Sequence, residues 1–113
     1  MHTVNPGCEI LGGHGNVAAR AIVRLTTADG FVGVSETYGN EQVISDLNRR
    51  SKLVERMDPY KRKPLELQIR DPMTSNAFET ALYGLNGRVH GKPVYSLLGG
   101  VVRDKVEFSG YLF

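Results

Sequence analysis

Ala77-Phe78-Glu79-Thr80-Ala81-Leu82-Tyr83-Gly84-Leu85-Asn86-Gly87-Arg88, followed after Val89 by His90-Gly91-Lys92-Pro93-Val94-Tyr95-Ser96-Leu97-Leu98-Gly99-Gly100, decides the fold. Phe78, Leu82, Leu85 and Val89 recur at helical spacing and make one apolar stripe, so the pattern predicts a helix over 76–90. Asn76 and Glu79 stand at capping-box spacing at its start. Gly91 stops it, Pro93 opens a short helix through Leu98, and Gly99-Gly100 closes that one. Gly84 and Gly87 lie inside the long helix, where each costs about 1 kcal/mol relative to Ala. Close approach of another backbone is the expected reason for both.

Working outward, residues 17–37 read as a β-hairpin. Ala19, Ala21, Val23 and Leu25 fall on one face, Arg20, Ile22, Arg24 and Thr26 on the other. Asp29-Gly30 supplies the turn, since both residues tolerate positive φ, and Phe31 to Thr37 is the return strand. Asn40 can cap a helix over 41–57 whose stripe is Val43, Ile44, Leu47, Val54 and Met57, with Asp58-Pro59 as its stop. Pro59, Pro64 and Pro72 leave room for at most a short helix near Leu65 to Ile69. Residues 2–16 are rich in Gly around His14 and read as a mobile loop. Lys105 to Phe113 alternates, with Val106, Phe108, Gly110 and Leu112 opposite Glu107, Ser109, Tyr111 and Phe113, and so reads as a strand. A bare apolar strand edge templates aggregation. The expectation is therefore that sequence continues after Phe113.

The composition excludes several classes. The chain has 113 residues, 41% hydrophobic and 23% charged, which fits one ordinary globular domain. Its net charge of +2 is too balanced to imply nucleic acid or an anionic membrane as partner. The basic run Lys61-Arg62-Lys63 reads as solvated loop. No apolar stretch approaches the ~20 residues of a membrane span, and no signal peptide is visible, so a cytoplasmic location is expected. Cys8 is the lone cysteine and has no evident activating neighbours. His2, His14 and His90 have no partners at metal-site spacing, and His90 reads as a structural residue at a helix end. Gly13-His14-Gly15-Asn16-Val17-Ala18, with Glu36 downstream, matches a dinucleotide-binding fingerprint. That alternative requires a helix over 16–28 and a buried parallel strand before it, where Pro6, Gly7 and Glu9 stand.

The 77–100 run resembles the last helix of the N-terminal capping domain in the mandelate racemase and muconate-lactonizing branch of the enolase superfamily, with its pattern A-x-E-x-A-L-W-D-x-x-G-K-x-x-G-x-P-[VL]-x-x-L-L-G-G. Gly33-Val34-Ser35-Glu36 is similar to the G-x-G-E that ends that family's hairpin, and Val102-Arg103-Asp104 to its barrel entry. Gly12-Gly13-His14 before Arg20-Ala21-Ile22-Val23, and Gly110-Tyr111-Leu112-Phe113, resemble glucarate dehydratases in particular.

The resemblance implies an α+β fold: an antiparallel hairpin or meander followed by a helical bundle, plus the first strand of a truncated (β/α)8 barrel. Residues 1–100 would be the capping domain, with a flexible substrate loop at 5–16, and 101–113 the linker and first barrel strand. It implies an acid-sugar dehydratase in which the barrel abstracts a proton alpha to a carboxylate, Mg²⁺ stabilises the enediolate, and water is lost. The catalytic and metal-binding residues would lie on later barrel strands, leaving no catalytic residue and no metal ligand in this chain. His14 would contact the substrate from the lid loop, and Tyr111 and Phe113 from the end of the first strand. The plainer alternatives are a polar loop residue and barrel filling. Glu36 reads as a capping or pairing residue. Gly84 replaces the family's Asp, Glu9 replaces an Asn usual in glucarate dehydratases, and the first capping strand looks largely missing before His2. The expected partners are the acid sugar, the barrel and, for the whole protein, further copies of itself. A stand-alone binding or scaffold module is the competing class.

Overall fold

The computed structural model describes residues 4–11, 19–60 and 69–110, of which 4–11 are described by their backbone. Three antiparallel strands form a meander in the order β1-β2-β3: β1 is Val4–Leu11, β2 Arg20–Thr27 and β3 Val32–Tyr38. On β2, Ala21, Val23 and Leu25 are buried while Arg24 is exposed, so the alternation read from the sequence puts the small and aliphatic residues inward. The turn between β2 and β3 closes through Gly30 N–H to the Thr27 carbonyl at 3.0 Å and Thr27 N–H to the Phe31 carbonyl at 2.9 Å. The Thr27 hydroxyl oxygen also accepts from Phe31 N–H at 2.9 Å. Gly30 alone in this turn has positive φ, at 93°, so Asp29 is not asked for the left-handed conformation it was expected to share. A three-residue loop ending on a left-handed Gly matches the right-handed twist of its flanking strands.

Two expectations are corrected here. Residues 5–11 are not loop: they lie in β1, paired along β2 from Val4↔Thr27 to Leu11↔Arg20. Pro6 and Gly7 weaken strand propensity, but β1 is an edge strand, where Pro is tolerated, and the β2 ladder supplies the hydrogen bonds that local sequence does not. Residues 12–16 of the expected loop lie outside the described residues. The dinucleotide-binding reading also fails, because β2 is an antiparallel strand where that unit needs a helix.

Helix α1, Glu41–Val54, begins as expected with the Asn40 side chain accepting from Val43 N–H at 2.9 Å. Val43, Leu47 and Val54 are buried, with Ile44 and Met57 packed against them. It ends three residues before the expected 57, and Arg56 sits at φ 62° in the left-handed region, a break the periodicity does not show. Helix α2, Pro72–His90, starts a turn before the expected Asn76. Asp71 is the cap, accepting from Thr74 N–H at 2.8 Å, and Pro72 occupies the first turn, where its missing N–H costs nothing. Gly91 ends α2 at φ 62°, and Lys92 N–H reaches the Gly87 carbonyl at 2.8 Å. A single turn, α3 (Val94–Leu97), follows. The short helix expected near Leu65 falls on 61–68, outside the described residues.

The helices cover one face of the sheet. Phe78, Leu82 and Leu85 of α2 are buried in one cluster with Val23 and Leu25, and each such side chain is worth about 1.5–3 kcal/mol of burial. Gly33 marks the closest approach: a Cβ there would strike the Ala81 carbonyl and lie 2.8 Å from Leu85 Cβ. The Ser35 hydroxyl donates to the Ala77 carbonyl, so β3 is tied to α2 by polar contact as well. Gly87 fits the expectation of a close backbone, since its Cβ would come 2.7 Å from the Lys92 carbonyl oxygen. Gly84 does not: nothing lies within 4 Å of its Cβ position, and its cost is unexplained by packing.

Residues 101–110 take no strand. Alternation specifies which residues share a face, but a strand also needs a neighbour for its backbone groups, and this segment is exposed throughout. The expected first barrel strand is therefore not formed over 105–110, and 111–113 lie outside the described residues.

Candidate functional site

His14, Tyr111 and Phe113 all fall outside the residues the structure describes. What it defines is the ground beside two of their segments. Leu11, the last residue of β1, pairs with Arg20, the first of β2, at the foot of the segment that carries His14. Arg20 Nε lies 3.3 Å from Glu36 Oε1, and its guanidinium carbon 5.2 Å from the centre of the Tyr38 ring. Gly39 N–H donates to the Ala19 carbonyl at 3.0 Å. Glu36 thus pairs with a cation, as the sequence reading held. The pair is a cross-strand diagonal, because Arg20 faces Tyr38 and Ile22 faces Glu36.

Beside the other segment, the chain leading to Tyr111 carries apolar side chains into solvent. Val102 is 94% exposed and Phe108 92%. A shallow cleft of about 530 Å³ is lined here by Tyr95, Val101, Val102, Arg103 and Val106.

Two polar clusters lie elsewhere. The Asp46 carboxylate accepts from the Thr74 hydroxyl at 2.8 Å, from Arg50 Nε at 3.0 Å and from Arg49. The Arg49 hydrogen bond, opposed by burial and helped by Thr74 and Arg50, lowers its pKa from the ordinary 3.8 to about 2. An acid so depressed and so fully engaged serves as a clamp between α1 and α2; it cannot act as a proton donor near neutrality. The cluster was not visible in sequence, because Thr74 and Asp46 are 28 residues apart.

The second cluster surrounds His90. Its Nδ1–H donates to the Asn86 carbonyl at 2.7 Å, and its Nε2 is hydrogen-bonded to the Tyr60 hydroxyl at 2.9 Å. Asn86 Nδ2 donates to the Pro59 carbonyl at 3.0 Å. These bonds fasten the turn at 58–60 to the end of α2, the structural role expected of His90. A cavity of about 280 Å³ beside them is lined by Tyr60, Tyr83, Asn86, His90, Lys92 and Leu97.

Among the described residues, no three or more His, Cys, Asp or Glu side chains come together in a way that could hold a metal ion. The described residues therefore offer no set of ligands for a magnesium ion. No described helix is long and apolar enough to cross a membrane.

No family model matches the chain. A curated relative from Streptomyces coelicolor, described as probable glucarate dehydratase, is 33% identical over 129 residues, covering 90% of this chain and 30% of its own length. The chain therefore spans under a third of that relative. Among solved structures, an enolase from Thermobispora bispora, complexed with magnesium and formate, is 26% identical with TM-score 0.79, over 100% of this chain and 35% of its own. Another from Agrobacterium radiobacter, a proposed galactarate dehydratase with bound sodium and L-malate, is 28% identical with TM-score 0.72, over 88% of this chain and 29% of its own. The meander, the α2 packing and these likenesses across nearly the whole chain lead to one conclusion: this chain belongs to the enolase superfamily.

Proposed function

We propose that this chain is the substrate-enclosing part of an acid-sugar dehydratase, acting with a barrel that holds the catalytic groups. The observation that carries the reading is the 33% identity to the Streptomyces coelicolor protein over 90% of this chain, which itself is only 30% of that relative's length. In this reading the barrel removes a proton alpha to a carboxylate and a neighbouring hydroxyl leaves as water. The barrel also carries the Mg²⁺, for which the described residues here offer no site. The segment bearing His14 covers the acid sugar and keeps bulk water from it. Tyr111 and Phe113 contribute from the other side, and the apolar residues between Val101 and Phe108 rest against the barrel. The whole protein is expected to work in the cytoplasm as an assembly of identical subunits.

The test is a graft. Residues 1–113 replace the matching part of the Streptomyces coelicolor relative, and loss of water from glucarate and galactarate is followed by appearance of the keto product. The reading expects turnover by the graft, none by the chain alone, and a several-fold rise in KM or fall in kcat for His14→Ala. A folded graft that binds neither acid sugar, or one in which His14→Ala changes nothing, removes the corresponding part of the proposal.

One observation favours the second reading, a free-standing binding module. Every described residue of the buried cluster lies between Ala21 and Leu85, so none of it comes from the 94–110 segment. That reading expects a soluble monomer or defined dimer that melts cooperatively. Aggregation through the exposed tail speaks for the first.

A further inference from the structure

We propose that the cavity between the 58–60 turn and the end of α2 binds a small organic acid with an apolar body and one hydroxyl group. The space is about 280 Å³, at the small end of ligand pockets. Three features of its wall point to that chemistry. The first is an orphaned acceptor. Asn86 forms part of the wall and is only 6% exposed, and its Nδ2 is spent on the Pro59 carbonyl at 3.0 Å. That bond fixes the amide and leaves Oδ1 covered, with no hydrogen-bond partner among the described residues. A buried acceptor without a donor is costly, and a hydroxyl brought by a guest removes the cost. Reaching Oδ1 asks a wall side chain to give way, and Lys92, which is exposed, can swing aside.

The second feature is charge. Lys92 lines the cavity, and among the described residues no Asp or Glu does. An ammonium group with no acid beside it favours an anion and disfavours a cationic guest. The third is apolar surface, supplied by Leu97 and the rings of Tyr60 and Tyr83. His90 does not compete for the guest. Its Nδ1 is taken by the Asn86 carbonyl and its Nε2 by the Tyr60 hydroxyl, and its ring stands edge-on to Tyr60 at 5.1 Å between centres. A carboxylate at Lys92, a hydroxyl at Asn86 Oδ1 and a ring against the tyrosines would match all three features at once.

The experiment is a titration of the intact, isotope-labelled 113-residue chain with phenyllactate, followed by the amide NMR signals of residues 83–92. Saturable shifts confined to that region are expected, with Kd on the order of 1 mM for a ligand of a dozen heavy atoms. Hydrocinnamate, the same acid without the hydroxyl, should bind roughly 5- to 30-fold more weakly, because it leaves Asn86 Oδ1 unpaired. Phenyllactamide, which lacks the charge, should bind roughly 2- to 5-fold more weakly. Lys92→Gln should erase the difference between the acid and its amide. Leu97→Trp should fill the cavity and abolish binding while the signals of α1 stay in place. Glucarate, which has no apolar body, should cause no shift. Absence of saturable shifts up to about 20 mM phenyllactate overturns the proposal. So does equal affinity for phenyllactate and hydrocinnamate, which would mean that water serves Asn86. Shifts that survive Leu97→Trp place binding elsewhere and overturn it too. The site is built from this chain's own residues and the probe is not an acid sugar, so the outcome is independent of whether the graft dehydrates one.

Discussion

The Thr74 hydroxyl in the first turn of α2 donates at 2.8 Å to the Asp46 carboxylate in the middle of α1, whose other bonds come from Arg49 and Arg50 of its own helix. One acid thus joins two helices that meet the sheet separately.

The first prediction concerns that acid. Its pKa is lowered to about 2 in the folded chain against 3.8 unfolded. Its contribution is therefore complete above the unfolded value and is lost as pH falls through the folded one. Asp46→Asn should cost about 1–2 kcal/mol at neutral pH, with the gap to the unaltered chain narrowing by roughly half near pH 3. Urea melts of both proteins from pH 7 to 3 measure this. A gap that stays constant would show that the carboxylate's charge contributes nothing.

Glycine substitutions should part in sign. Gly33→Ala drives a methyl into the Ala81 carbonyl and toward Leu85 Cβ, and should cost about 3 kcal/mol, the upper range of overpacking. Gly84→Ala meets open space inside a helix and should gain about 0.5–1 kcal/mol. Denaturant titration of the two variants side by side decides the matter. A stabilising Gly33→Ala would mean that β3 and α2 are not in the contact described.

Burial divides the chain at the end of α2. Leu82 is fully buried, and Leu82→Ala should cost about 2–5 kcal/mol. Phe108 is 92% exposed, and Phe108→Ala should change stability by no more than about 0.5 kcal/mol. In the grafted dehydratase, by contrast, Phe108→Ala should lower stability or activity, because there the ring gains a neighbour. Thermal melts of the chain and the graft, each with and without the substitution, separate the two settings.

Much of the fold could be read locally. Alternation along residues 21–25 named the buried face of β2, although Ala19, expected on that face, is exposed; Asn40 and Gly91 named helix ends, because caps and strand faces depend on a few adjacent residues. Asp71-Pro72 carries a cap signal of the same kind, and it starts α2 a turn before the expected Asn76. The site was less legible. His14, Tyr111 and Phe113 came from resemblance, whereas the contacts of Arg20 follow only once the register Arg20↔Tyr38 is known.

The sequence by itself determined which residues turn inward within each element and where the main turn falls, since those follow from side-chain periodicity and from glycine's freedom at Gly30. Only the tertiary structure decided that residues 4–11 form a strand, that 105–110 do not, that Gly33 must lack a side chain, and that Asp46 holds Thr74. The reason is the same in each case. A backbone ladder, a close approach or a buried carboxylate gets its energy from a partner distant in the chain, and local pattern carries no record of whether that partner arrives.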